Sequence, residues 1–396
     1  MVNAIAPSTR RWGAIYTLNK PNREVQNIAH SQNGGVTFTK YNGNPVLDLK
    51  LSDCRDPKVF WHAPTRRWVM AVVLPKVRQV LFYASPDLKI WSFLSRFGPL
   101  GIEACEWECP NLLEIWVEGS EEKKWVLLIG INPGAPLGGS INSYYVGYFD
   151  GTSFHADDPV TRVMDFGKDH YAVQTFNSAP GDQAIAMGWA SNWQYTQVVP
   201  TFPWRGALSI PRVLTLRKLK RQRNAFLVQN PISLENLRDK TLYEDPALLG
   251  SDPLSISLHG NASFEFKTTL VVRSNLGENP SRLIIDILNA AREKVTIGYD
   301  WSASRIFVDR GRALGFSDPS FSPYFETKCV GAEDALNLHV LVDQSMLEVF
   351  VNDGLDVCTS IFYMQHGSPT EISWRVEEGT VEAIDLRVFT LKSIWK

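Results

Sequence analysis

Asp56-Pro57-Lys58-Val59-Phe60 and Cys109-Pro110-Asn111-Leu112-Leu113 are one element written twice, 53 residues apart. Each continues through a strand and a polar turn into a tryptophan-bearing strand, Trp68-Val69-Met70 in the first case and Trp125-Val126-Leu127 in the second. A tight turn closed by an aromatic also recurs. It reads Ser31-Gln32-Asn33-Gly34-Gly35 leading to Phe38, Ser85-Pro86-Asp87-Leu88 leading to Trp91, and Phe149-Asp150-Gly151 leading to Phe154. Four short strands in a unit of about 50 residues is the period of a β-propeller blade.

Residues 56–97 make one such unit, 108–156 a second and about 171–230 a third. Residues 12–42 supply three strands only, Trp12–Leu18, Glu24–Ser31 and Val36–Tyr41, which match the last three of a blade. The pattern therefore starts part-way through a blade and falls short of the four blades that a closed ring needs. Beyond about residue 235 the strands lengthen and alternate: Phe264–Val272, Leu283–Ile287, Lys294–Tyr299, Arg305–Asp309, Leu336–Asp343, Leu347–Asn352 and Ala383–Thr390. Turn residues lie between them, which predicts an antiparallel β-sandwich. The division is placed at 1–230 and 231–396, with a linker around 216–245.

Composition narrows the possible functions. The 396 residues are 44% hydrophobic and 21% charged with a formal net charge of −2, so no whole-chain field favours nucleic acid or an anionic membrane. No apolar run approaches the roughly 20 residues of a membrane-spanning helix. The first residues, Met1-Val2-Asn3-Ala4-Ile5-Ala6-Pro7, lack the apolar stretch of a secretory signal. Five scattered cysteines make no disulfide framework. Ten of the 13 tryptophans lie at or before Trp204, where they either brace a β-rich core or offer flat platforms to sugar rings.

Propeller chemistry collects where the innermost strands begin. Asp56 and Glu108, close to Pro57 and Pro110 at the opening of their blades, are read as equivalent positions of the repeat, whose geometry aims both into one channel. Glu106 shares the Glu108 face of an extended strand. Paired carboxylates flanked by tryptophans suit glycosidic bond cleavage, in which one acid protonates the leaving oxygen and another handles the oxocarbenium-like centre. That reaction class needs no metal and no cofactor.

Arg55-Asp56-Pro57 and Glu108-Cys109-Pro110 resemble two of the three signature blocks of glycoside hydrolase family 32, specifically the invertases and exo-inulinases of yeasts and filamentous fungi. The resemblance extends through Ile131-Asn132-Pro133-Gly134, Asp165-Phe166-Gly167-Lys168-Asp169, Trp189-Ala190-Ser191-Asn192-Trp193, Pro203-Trp204-Arg205, Phe307-Val308-Asp309-Arg310 and Leu347-Glu348-Val349-Phe350. It implies an all-β chain, a five-bladed propeller that here lacks its first blade and part of the second, followed by a β-sandwich. It implies a β-fructofuranosidase that releases fructose from sucrose, inulin or levan with retention. Glu108 becomes the acid/base, tuned by Cys109. Asp56, oriented by Arg55, becomes the transition-state stabiliser. Asp169 and Tyr171 line the pocket, and Trp189, Asn192 and Trp204 wall it. Self-association through the sandwich and an extracellular or vacuolar location follow from the same likeness.

One departure carries weight. The third block, with the nucleophilic aspartate in an Asn-Asp-Pro context, does not occur in this sequence. Cys54 also stands where relatives have an aromatic residue. Without a nucleophile double displacement has no first step, so the chain as written is expected to be inactive or nearly so. The other expectation is a non-catalytic protein that binds fructosyl sugars or pairs with an intact relative.

The remaining signals read as ordinary structure. Arg217, Lys218, Lys220, Arg221 and Arg223 alternate with leucines as a solvated strand edge does. Cys105 and Cys109 lack the second pair of a zinc site.

Overall fold

The computed structural model describes residues 2–3, 12–220, 222–272, 280–330 and 335–395. Among these, only two single-turn 3₁₀ helices, Pro180–Asp182 and Glu235–Leu237, interrupt the strands. The chain forms two compact units. The first takes in Met1–Val163, Tyr171–Gly188 and Val213–Phe226, the second Met164–His170, Trp189–Arg212 and Leu227–Lys396. The connections are therefore interleaved along the sequence.

Four antiparallel sheets follow one another in the order that the repeat predicts. The first holds β1 (Val2–Asn3), β2 (Trp12–Lys20), β3 (Arg23–Ser31) and β4 (Thr39–Lys40). The second holds β5 (Arg55–His62), β6 (Arg67–Leu74), β7 (Gln79–Ser85) and β8 (Ser92–Phe97). The third runs from β9 (Glu106–Trp116) through β10 (Lys123–Asn132) and β11 (Ile141–Phe149) to β12 (Phe154–Ala156), with β13 (Arg162–Val163) also on β11. The fourth has β14 (Tyr171–Thr175), β15 (Ala184–Ala190), β17 (Arg212–Lys218) and β18 (Ala225–Pro231) in that order, with β16 (Ala207–Leu208) beside β15. These are propeller blades. In the first unit the opening strands β5, β9 and β14 pack side by side.

The first sheet has four strands where patterning yields three. β1 pairs with β2, Val2 opposite Ala14, but two residues are too short to show a period. The region expected to be a linker is also largely strand. Leu214 and Leu216 are buried on β17, while Arg217 and Lys218 pair with Glu118 and Glu122. The expected solvated strand edge is corrected: β17 lies inside its sheet, between β15 and β18, and only its basic end reaches solvent at Lys218, with Arg221 outside the described residues.

The second unit stacks two sheets. One has the order Arg238–Glu244, Arg387–Leu391, Ser263–Val271, Ala335–Asp343, Met346–Val351 and Asp356–Ile361, with Ala247–Leu249 and Val381–Ala383 alongside. The other runs Leu254–Ser257, Glu371–Val376, Arg282–Leu288, Lys294–Asp300, Arg305–Arg312 and Tyr324–Lys328. Alternate residues such as Phe264, Phe266, Leu283, Ile285, Ile297 and Val340 meet in one core, as period-two patterning requires. The expected strand Ala383–Thr390 is two strands. Asp385 turns its carboxylate onto the Thr269 N–H and so replaces a main-chain ladder partner.

Buried charges tie this unit's connections down. Arg212 reaches Glu348 and Thr359 at 2.6 Å each and Asp165 at 3.2 Å, all of them buried. Phe266 packs edge-on to Trp374, centroids 4.9 Å apart, both wholly buried. Phe266→Ala is expected to cost about 3–5 kcal/mol, read as a lower midpoint in urea unfolding at unchanged slope.

Candidate active site

The site is built from how β5 and β9 begin. Asp56 and Cys109 both have left-handed backbone, φ 60° and 51°, and Ala172 on β14 repeats it at φ 50°. In the first two strands this residue is a bulge. Arg55 pairs with Val73 and Lys58 with Ala71; Glu108 pairs with Gly130 and Asn111 with Leu128. One partner strand advances two residues while the other advances three, so the residues on either side of the bulge share a face. The true repeat partners are therefore Arg55 with Glu108, and Asp56 with Cys109. This corrects the expectation that Asp56 and Glu108 occupy equivalent positions: they are one residue out of phase.

The phase shift assembles the site. Arg55 and Glu108, brought onto one face, bond to each other, Arg55 Nη2 to Glu108 Oε1 at 2.9 Å. The same nitrogen reaches Glu106 Oε2 at 3.1 Å. Tyr171, from the third strand opening, donates its hydroxyl to Glu108 Oε2. Both oxygens of Glu108 are thus held by charge-assisted or phenolic donors. Asp56 lies beside this line, its Oδ2 accepting the Cys109 N–H at 2.9 Å, and its own N–H donates to Thr17 Oγ1 at 3.1 Å. Glu24 and Asp53 add more distant charge around Arg55, at 3.8 and 3.6 Å.

Electrostatics sort these groups by task. Burial pushes the Asp56 carboxyl up; the Cys109 N–H opposes the shift and the Glu108 charge adds to it. Burial, with Asp56 and Glu108 beside it, drives the Cys109 thiol well above its ordinary value, so it is a neutral donor and no thiolate nucleophile. Burial and Glu108 likewise keep the Tyr171 phenol protonated. Arg55 is desolvated, a change that works against charge, yet Glu108 and Glu106 more than offset it. Cys54 is buried behind Asp56 among Ile15, Val59 and Tyr83, where desolvation raises its thiol to about 12.

A second layer lies one step deeper. Lys58, Asn111 and Gln174 each follow a first-layer residue by three positions. Lys58 Nζ donates to Thr175 O at 2.7 Å, and Asn111 ties to Thr175 and to Val173 O. The signal for this layer was in the repeat, three residues past each strand opening, but only the bulge shows that it faces the same way. Thr17 gave no such signal, because it reaches Asp56 from another sheet.

The other candidates fall in the second unit. Asp169, expected to line the pocket, is wholly buried. It is bonded to Arg310 Nη1 at 2.6 Å, to the Ile361 N–H at 3.0 Å and to the Tyr195 hydroxyl. Its carboxylate is a structural ion-pair partner. Asn192, expected as a wall, is also wholly buried, its Nδ2 donating to Lys168 O and its Oδ1 accepting Gln194 N–H. Trp189 packs on Trp193 at 5.1 Å, with Gly206 against its Nε1 edge, whereas Trp204 is 63% exposed. Among the described residues no group of three His, Cys, Asp or Glu is placed to hold a metal ion.

Lys58 gives a pH test of the deeper layer. Burial lowers its amine to about 7 from an ordinary 10.5. Between those values the unfolded chain binds the extra proton, so stability rises with pH across that window. Lys58→Met should remove this rise, a slope approaching about 1.4 kcal/mol per pH unit, in urea unfolding followed from about pH 6.5 to 9.5.

Known proteins share the fold and much of the sequence. Residues 4–231 match the glycosyl hydrolases family 32 N-terminal domain, and residues 231–390 the family's C-terminal domain. An extracellular exo-inulinase of Meyerozyma guilliermondii is 39% identical over 363 residues, 89% of this chain and 70% of the relative. An invertase of Schizosaccharomyces pombe is 39% identical over 94% of this chain and 66% of its own length. The solved β-fructofuranosidase of Schwanniomyces occidentalis, complexed with fructosyl-erythritol, has a TM-score of 0.89 at 34% identity. It covers 97% of this chain and 79% of that one.

Proposed function

The chain belongs to glycosyl hydrolase family 32, and we propose that it recognises the terminal β-fructofuranosyl group of sucrose or of fructans such as inulin and levan. The observation that carries this reading is the Glu108 carboxylate, gripped at one oxygen by Arg55 and at the other by Tyr171, with Asp56 alongside. A carboxyl fixed in this way has one direction in which to deliver a proton, which is what protonating a glycosidic oxygen asks of it. Glu108 acts as the acid and later as the base toward water. Asp56 accepts hydroxyls of the fructosyl ring and stabilises positive charge as it develops at the anomeric carbon. Trp189 and Trp204 are the aromatic faces assigned to sugar rings.

Retention at the anomeric centre requires a nucleophile, and no Asn-Asp-Pro block occurs in these 396 residues. The chain by itself therefore turns over at least about 10⁴-fold more slowly than an enzyme with that aspartate. A second reading rests on the same observation. The recognition residues are present without the nucleophile, which suits a protein that binds fructosyl sugars without cleaving them. We assign the same extracellular or vacuolar setting to either reading, with self-association through the sandwich as a property to be measured.

Fructose release from sucrose, measured beside Glu108→Gln, tests the catalytic reading. The expected result is a trace rate that Glu108→Gln reduces no further, with sucrose binding retained by calorimetry and weakened by Asp56→Asn. Glu108-dependent turnover at ordinary enzyme rates would show that another group serves as nucleophile. Absence of both binding and turnover would overturn the fructosyl assignment altogether.

A further inference from the structure

Three buried charged residues that play no part in the chemistry above converge on one surface loop of the second unit. The loop follows the strand Arg305–Arg312 and runs to Pro323. Arg310 closes its base: its N–H donates to Pro323 O at 2.8 Å and its Nε to Ser322 O at 2.9 Å. Glu293 holds its near side. One oxygen accepts the Leu314 and Gln365 N–H groups at 3.3 and 3.0 Å, and the other accepts His366 N–H at 2.8 Å. Lys168 holds its far side, with Nζ on Ser320 O at 2.6 Å. Gly315 N–H to Tyr363 O, at 2.8 Å, adds a main-chain tie. Arg310, Glu293 and Lys168 are each at most 4% exposed.

The Arg310 charge is balanced by Asp169, and this residue lends the loop only its Nε and main-chain N–H. Burying Glu293 and Lys168 to hold the shape of a surface loop, by contrast, is costly, and apolar packing would stabilise the sheet beneath at least as well. What the charges supply is fixed geometry. The loop they fix frames a cavity of about 350 Å³, at the small end of the range of ligand sites. Its walls include Leu314, Phe316, Pro319 and Phe321, and Asp318 stands among them. Phe321 is itself immobilised, with the Arg310 guanidinium 3.4 Å above its ring and Phe316 edge-on at 4.8 Å. The Asp318 carboxylate has about four lone-pair sites, and the turn uses one of its oxygens for the Ser320 N–H at 2.8 Å.

We propose that this cavity is a second, non-catalytic sugar site that takes the terminal ring or rings of a fructosyl oligosaccharide. Rigid aromatic and proline faces accept the C–H face of a ring, and a carboxylate accepts vicinal hydroxyls. The carboxylate disfavours anionic ligands, and the cavity has room for only one or two rings. A neutral polyhydroxyl ring meets all of these conditions at once. The identity of the sugar rests on the fructosyl reading above; the existence of the site does not.

Calorimetric titration with 1-kestose, the inulin-type trisaccharide, tests it on the whole chain. The expected stoichiometry is two. Leu314 is 61% exposed, so Leu314→Trp fills the cavity without disturbing a core, and its main-chain bond to Glu293 is retained. That variant should lose one of the two sites, and Asp318→Asn should weaken the same site about tenfold. The Glu108 site is expected to persist in both. If the fructosyl reading of that first site is wrong, a single site remains that Leu314→Trp abolishes. No binding of 1-kestose, a stoichiometry of one that Leu314→Trp leaves unchanged, or two sites that survive it, overturns the proposal.

Discussion

The first unit depends on a backbone conformation that costs energy. Asp56, Cys109 and Ala172 are non-glycine residues in the left-handed region at the opening of three successive strands, each costing of order 1 kcal/mol. Without the extra residue, Arg55 and Lys58 would face opposite sides of β5, and Glu108 and Asn111 opposite sides of β9. With it, charged and polar side chains of neighbouring strands meet in two layers. The strain is offset locally, since the Asp56 carboxylate takes the N–H of the next bulge residue, Cys109. Each bulge thus helps to fix its neighbour, and Glu108 inherits its direction from both.

Buried ions serve different ends in the two units. Around Glu108 they are only partly buried, Arg55 and Glu108 retaining 19% and 20% of their side-chain exposure, which leaves the carboxyl in reach of solvent. In the second unit Arg212 with Asp165 and Glu348, and Arg310 with Asp169, are sealed from solvent. There the charges fix main-chain segments, as in the Asp165–Asp169 stretch that runs along Asp356–Ile361. Asp169 and Asn192 are wholly buried and spend their polar atoms on Arg310 and on the Lys168 carbonyl. A sequence motif marks positions that tolerate few residues, and a buried ion pair is as exacting as a binding pocket.

The features that local patterning misses have a common cause. β1 is too short for any period to register, and Asp385 breaks a hydrophobic alternation that otherwise looks continuous from Ala383 to Thr390. The basic stretch after Leu216 looks like a linker until Glu118 and Glu122, nearly 100 residues earlier, supply the partners for Arg217 and Lys218. Each depends on a group distant in sequence, and local periodicity carries no record of such groups.

The 53-residue repeat, the change to longer alternating strands and the Arg-Asp-Pro and Glu-Cys-Pro blocks were all legible in the amino-acid order. Strand period and repeat spacing are properties of the chain itself, and they determined an all-β fold of blades followed by a sandwich, while the two blocks singled out Glu108 and Asp56 as candidate site residues. Which side chains share a face was decided only in three dimensions, because a single bulge reverses every side chain beyond it. Tertiary structure alone joined Glu108 to Arg55 and to Tyr171, withdrew Asp169 into an ion pair with Arg310, and set Glu293 and Lys168 on either side of the loop that carries Asp318. Such pairings depend on desolvation and on distance through space, quantities that come into being only when the strands pack.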